Sequence, residues 1–255
     1  MAAVWCERMT TYEVMKMTEN FISTGYTELD NLLGGGLPNG LTIVKSSRTG
    51  YGKTSFVSNL IKNFTFKSDH SNSALFFSFE MTEHSINDRF ISMISGIPYK
   101  ALLTAQLTEK HWEDFELGYK ELESKNPVFM FYKSLDIYNT LDYIALYKRC
   151  KKAGLVVVDN LNYFKEKENA EGDARSYQIG RNAALLNYIA EKMNIPIITT
   201  MQFRDKELDK DLGKIANVML TIDYRDETKI KITTNKTSRH VTLKADWDYW
   251  RFENV

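Results

Sequence analysis

The chain has 255 residues, 43% of them hydrophobic, and its 33 basic side chains balance 33 acidic ones. That length buries a substantial core as one large domain, and zero net charge removes any bulk electrostatic case for nucleic acid or an anionic membrane surface. Cys6 and Cys150 lie far apart and outside any metal-ligand spacing, which argues against zinc and disulfides and predicts a reducing compartment. No run reaches membrane-span length and MAAVWCERMT lacks the apolar core of a signal peptide, so a soluble intracellular protein is expected.

In chain order, a first helix is predicted over residues 9–19 and a first strand over 41–45. A helix over 54–64, a strand over 74–79, helices over 86–95 and 109–124 and a strand over 128–132 follow. The pattern continues with a helix over 141–153, a strand over 155–158, a helix over 177–193 and a strand over 197–200. Alternation of apolar runs of strand length with helical periodicity predicts an α/β fold, and near-continuous apolarity marks strands buried on both faces of a mostly parallel sheet. From Val218 onward, TIDYRDETKIKITTNK and HVTLKADWDYWRFENV read as antiparallel hairpins at one edge. Without repeats or linkers, residues 21–255 form a single expected domain, preceded by a linker or helix over 1–20.

The segment SSRTGYGKT at residues 46–54 ends like the phosphate-binding pattern G-x-x-x-x-G-K-[ST], with Ser47 where the opening glycine stands. A strand enters it and a helix leaves it, the context such a loop needs. Gly50 and Gly52 let backbone N–H groups curl around phosphate oxygens, Lys53 neutralises the outer phosphates, and Thr54 is placed to hold Mg2+. The candidate nucleotide contacts are Ser47, Arg48, Thr49, Gly50, Tyr51, Gly52, Lys53, Thr54 and Ser55. The plain alternative is a surface turn before a helix.

Three strand ends supply chemistry to that loop. ALFFSFEM ends in Glu80, at the edge of a parallel strand where ligands bind, and Glu80 is the candidate general base; alternatively it caps the helix beside Thr82 and Glu83. LVVVDN ends in Asp159, the form of a carboxylate that holds Mg2+ through water. IPIITTMQF ends in Gln202, either a γ-phosphate sensor or a core-edge hydrogen-bonding group.

With these residues in place, the chain resembles the C-terminal motor domain of the DnaB family of hexameric replicative helicases, a RecA-like fold. STGYTELDNLLGGGLPNGLTIV, SRTGYGKT, FFSFEM, LLTAQLTEKHWEDF, VVVDNLNYF, MNIPIITTMQ, YRDE and WRFENV carry the resemblance in one order from Ser23 to Val255. Ser47 fits it, since the first loop position in that family is often not glycine. The resemblance implies ATP and Mg2+ as cofactors, held by Lys53, Thr54 and Asp159. Glu80 would activate water and Gln202 would couple hydrolysis to movement. It also implies a homo-hexamer in which a lysine and an arginine reach the neighbour's ATP; Lys236 and Arg239 in NKTSRHV match them, the arginine one residue beyond the usual spacing. A bacterial cell or a virus-infected host cytoplasm, single-stranded DNA, and a primase or helicase loader complete the implied setting.

The family usually carries a longer DNA-lining loop after Gln202, where this chain has FRDKELDKDLGKIA. Arg204, Lys206, Lys210 and Lys214 there, with Lys165, Lys167 and Arg175 in the segment after Asp159, are the candidate DNA contacts, since backbone binding needs positioned cations. Their acidic neighbours make a solvated charged turn or helix the alternative. The basic run YKRCKK reads as a helix C-terminus. The short N-terminal segment suggests a compact viral or mobile-element helicase. Two rivals remain at this stage: a RecA, RadA or KaiC-like DNA-binding or recombination protein, and a degenerate regulatory subunit of a host helicase ring.

Overall fold

Continuous apolar runs in this chain become the inner strands of one nine-stranded sheet with order β3-β2-β4-β5-β1-β6-β7-β8-β9. The computed structural model describes residues 21–46, 50–67, 73–125, 127–131, 135–151, 153–164, 173–202, 206–226, 229–237 and 239–255; the helix predicted over 9–19 lies outside them. Strands β1 (Gly40–Ser46), β2 (Ala74–Ser78), β4 (Leu155–Asp159) and β5 (Pro196–Met201) are buried almost throughout. They and β3 (Val128–Phe131) pair in parallel ladders. Such strands must be covered on both faces.

Side-chain alternation divides the cover into two layers. Phe76, Val157 and Ile198 face α1 (Thr27–Leu33), α2 (Lys53–Lys67), α3 (Glu83–Ser95) and α5 (Glu109–Lys125), joining Leu29, Phe56, Leu60, Phe90 and Leu122. Phe77, Val156 and Val158 face the other way, toward α6 (Ile137–Lys151), α7 (Asp173–Met193) and α8 (Lys206–Ile215), joining Ile144, Ile179, Leu186, Leu208 and Leu212. A short α4 (Tyr99–Thr104) follows α3, which Thr82 caps by accepting from the Ser85 N–H and which ends at left-handed Gly96. Thr82 thus supplies the cap that the sequence left open for Glu80.

The hairpin reading of the C-terminus holds and gains one further pairing. β6 (Val218–Asp226) pairs in parallel with β1, Thr42 opposite Val218, as well as antiparallel with β7 (Lys229–Thr234). Its Val218, Leu220 and Ile222 are buried with the α2 layer, so the strand extends the parallel core. Only β7, β8 (His240–Asp246) and β9 (Arg251–Asn254) form the antiparallel edge.

The segment after Gln202 is also resolved in kind: Lys206 to Ile215 form a helix, α8, whose Leu208 and Leu212 are buried while its lysines face outward. A helix seated this way predicts that Leu212→Ala costs about 2–5 kcal/mol in urea unfolding, because it leaves a cavity against α7. A loss near zero would mean that α8 is a loosely held charged turn.

Candidate functional site

The strands β2, β4, β5 and β1 are consecutive in the sheet and run in parallel, so their C-terminal ends share one edge. A cleft of about 620 Å³ opens there, lined by Gly50, Gly52, Lys53, Thr54, Ser55, Glu80, Asp159 and Gln202, with Met81, Arg89, Trp247 and Trp250. Ser47, Arg48 and Thr49 lie outside the described residues; Tyr51 is half-buried in the loop between the glycines. Gly52 is required twice over. Its φ of 75° is left-handed, and a Cβ there would lie 2.8 Å from Trp247 Cη2.

Lys53 begins α2 and its Nζ donates to Ser46 Oγ at 3.0 Å. Burial lowers its pKa, an effect that the negative charges of Asp159 and Glu80 oppose. Thr54 Oγ1 donates to Asp159 Oδ2 at 2.7 Å, and the Thr200 hydroxyl donates to the other carboxylate oxygen. Asp159 is only 1% exposed, and burial raises its pKa against those two hydrogen bonds and the charges of Lys53 and Arg89. A hydroxyl beside a carboxylate, both oxygen donors at the mouth of a loop that ends in lysine, is a fitting set for Mg2+.

Glu80 is exposed at the end of β2 and accepts from Asn160 Nδ2 at 3.4 Å, so its carboxylate is oriented yet open to the cleft. The Gln202 backbone N–H donates to Asn162 Oδ1 at 3.1 Å, and Asn160 Oδ1 accepts from Asn162 N–H at 2.9 Å. The ends of β4 and β5 are thereby tied together.

Sequence reasoning passed over Arg89, Trp247 and Trp250. Arg89 is half-buried on α3 with its guanidinium 4.0 Å from the Trp250 ring centroid, and burial lowers its pKa against Tyr99, Asp159 and Glu80. An arginine between the buried Ile86 and Phe90 on the helix after Glu80 was the available signal.

Other candidates do not join this cleft. Lys236 and Arg239 are exposed at the β7–β8 turn. Lys206, Lys210 and Lys214 are exposed on α8, where Lys214 pairs with Asp211 at 2.7 Å. Arg175 is exposed on α7, whereas Lys165, Lys167 and Arg204 lie outside the described residues. No helix among the described residues is long and apolar enough to cross a membrane.

The family model for the DnaB-like helicase C terminal domain matches residues 21–240. The chain belongs to that family. Among curated relatives, the replicative DNA helicase DnaB of Buchnera aphidicola subsp. Baizongia pistaciae is 28% identical over 226 residues, covering 81% of this chain and 47% of its own. The chain thus spans about half the length of the curated relatives it matches. The ATPase domain of G40P superposes with a TM-score of 0.79 at 18% identity, covering 96% of this chain and 95% of that one. A DnaB-like replicative helicase, solved in a study of its interactions with primase, gives 0.80 at 18% identity over 99% of this chain and 68% of its own. These neighbours share the α/β fold with a mostly parallel sheet.

The raised carboxyl of Asp159 has a signed consequence. Stability tied to a raised carboxyl is present at low pH and lost as pH rises through the folded value, so the burial of Asp159 costs the free chain stability on the alkaline side. Asp159→Asn should therefore raise the unfolding free energy of the nucleotide-free chain by about 1 kcal/mol at pH 8, with the gap closing on acidification. Urea unfolding at two pH values measures this, and a destabilised Asn variant at pH 8 would contradict it.

Proposed function

We propose that the chain is an ATP-hydrolysing DNA helicase motor, working in a homo-hexameric ring that translocates on single-stranded DNA and unwinds duplex during replication. The observation that carries this is the gathering of Lys53, Thr54, Glu80, Asp159 and Gln202 in one cleft at the ends of four adjacent strands, in a chain of this family.

In this reading Lys53 and the backbone of Ser47 to Ser55 bind the phosphates of ATP, with the partial positive charge of the α2 N-terminus behind them. Thr54 and Asp159 hold Mg2+, which neutralises charge on the phosphates when bound. Glu80 takes a proton from the attacking water; its exposure leaves room for that water, and Asn160 orients it. Gln202 sits where the terminal phosphate would be sensed, and Arg89 supplies a second cation on the Glu80 side. Lys236 and Arg239, exposed and apart from their own cleft, are suited to reach a neighbour's nucleotide.

For DNA, Lys206, Lys210 and Lys214 recur every fourth residue and form one exposed stripe on α8. With Lys165, Lys167 and Arg204 they are the proposed phosphate contacts. Residues 21–255 would be the motor and 1–20 a linker, with a primase or helicase loader as protein partner.

The test is ATP hydrolysis with and without single-stranded DNA, with subunit number measured by light scattering in the same buffer. DNA-stimulated turnover from about six subunits supports the motor; ATP binding without stimulation, or a monomer under ATP, shifts the reading to a regulatory subunit. Lys53→Ala should abolish nucleotide binding, and Glu80→Gln should keep binding while cutting turnover about 100-fold or more. Turnover at the parent rate in Glu80→Gln would dismiss it as the base. Arg239→Ala subunits mixed into parent rings should depress ATPase activity more than dilution predicts; a proportional loss argues against action in trans.

A further inference from the structure

Arg89 has an unusual set of neighbours for a guanidinium. It stacks at 4.0 Å on the Trp250 ring, Tyr99 lies 5.9 Å away, and Nη1 donates to Met81 Sδ at 2.7 Å. Arg89 Nε and Trp250 Nε1 are both buried without a hydrogen-bond partner among the described residues. No described carboxylate comes within ion-pair distance of Arg89, although Glu80 and Asp159 line the same cleft. A half-buried cation whose company is two aromatic rings, the Tyr99 hydroxyl and a thioether, with no carboxylate paired to it, is a group whose strongest partner is still to come.

Trp250 is fixed from behind. Its backbone is left-handed at φ 53°, its carbonyl accepts from Asn59 Nδ2 of α2 at 2.7 Å, and Asn59 Oδ1 accepts from the Phe252 N–H at 3.3 Å. Tyr99 N–H donates to the Asp248 carbonyl at 2.7 Å, and the Tyr99 and Trp250 rings meet edge to face at 5.2 Å. The turn between β8 and β9 is thus clamped to the helix that begins at Lys53.

We propose that Trp250 is a positioning residue: its indole face holds the Arg89 guanidinium at the Glu80 side of the cleft and off the Glu80 and Asp159 carboxylates, reserving that cation for the terminal phosphate of a bound nucleoside triphosphate. This rests on the cleft being a nucleotide site. Without the indole face, Arg89 is free to fall onto the exposed Glu80 carboxylate, which neutralises the cation and occupies the base in one step. Trp250 acts only through Arg89, so a diphosphate, which ends short of it, is bound without its help.

The experiment is calorimetric titration of the full chain with MgATP and with MgADP, for the parent, Trp250→Leu, Trp250→Phe, Arg89→Gln and the Trp250→Leu/Arg89→Gln double variant. Trp250→Leu should weaken MgATP about tenfold, the loss of one charge-assisted contact, and leave MgADP nearly unchanged. Trp250→Phe should recover most of that loss, and the double variant should bind no worse than Arg89→Gln alone. Equal losses for MgATP and MgADP, a phenylalanine no better than leucine, or additive losses in the double variant would each overturn the proposal. Should Trp250→Leu not fold, Arg89→Gln still decides in a Trp247→Phe background, which removes the other cleft tryptophan: MgATP must change tryptophan emission with Arg89 present and leave it unchanged in Arg89→Gln, and an identical response in both refutes the coupling. A parent chain that binds neither nucleotide would sink the nucleotide reading itself, whereas binding with an unaltered preference for MgATP in Trp250→Leu sinks only the role of Trp250.

Discussion

A carboxylate buried to 1% exposure is tolerated in this fold only because its surroundings are built to receive it. Asp159 ends β4, and the two hydroxyls that donate to it come from different elements: Thr200 from β5 beside it and Thr54 from α2, which enters from β1. These two hydrogen bonds fix the relative heights of two strands and a helix N-terminus. The phosphate loop cannot shift along the sheet without stripping a hydrogen bond from a charge that has no water to replace it. Lys53 and Arg89 complete the arrangement as the nearby cations, neither within ion-pair distance of the carboxylate. The site is therefore held in place by polar groups that are costly to separate, set in a sheet that would otherwise be content to slide.

The same loop is braced from its other side by the end of the chain. Trp247 packs over Gly52, closely enough that glycine is the one residue that fits, and Asn59 bonds to Trp250 and Phe252 where that turn enters β9. β8 leads away from that turn for seven residues, roughly 20 Å at strand rise, to the β7–β8 turn that carries Lys236 and Arg239. One strand thus has its C-terminal end at the chain's own cleft and its N-terminal end at the group proposed to serve a neighbour's. A stiff connection of that length explains why an antiparallel edge belongs to this fold rather than decorating it.

Much of this was legible in order along the chain. Glu80, Asp159 and Gln202 each close an apolar run, and a parallel strand delivers its last residue to the ligand edge whatever its neighbours are, so three separate runs yield three residues of one cleft. Arg89 was only half legible: its place between Ile86 and Phe90 stood in the sequence, but its meaning depends on Trp250, which lies more than 150 positions later and meets it only through the packing of β9 on α2. The parallel pairing of β6 with β1 was hidden for a similar reason: its alternating pattern fits a hairpin arm equally well, and only the long-range register decides. α4 is six residues with no buried side chain, too short for periodicity to show. In α8 the spacing of Leu208, Leu212 and Ile215 was present in the sequence, but six charged residues among ten obscured it.

α8 stands in the segment after Gln202, and its chemistry is divided by face. Leu208 and Leu212 bury against α7, and the opposite side carries the exposed Lys206, Lys210 and Lys214 beside Glu207 and Asp211, the latter paired to Lys214. A further contact ties the helix to the strand beneath it: Asp209 accepts from Lys45 Nζ at 2.5 Å, with both side chains largely shielded from solvent. Lys45 is followed by Ser46, the residue that receives the Lys53 ammonium. An apolar seat on one face and an ion pair on the next fix α8 to the strand that ends in the phosphate loop. Any load on the lysine stripe is then borne by the backbone that leads into the candidate nucleotide site, since the ion pair and the hydrogen bond to Lys53 sit on the adjacent residues Lys45 and Ser46. A longer free loop would have to order itself before it could transmit anything, whereas this helix is already ordered by its own leucines.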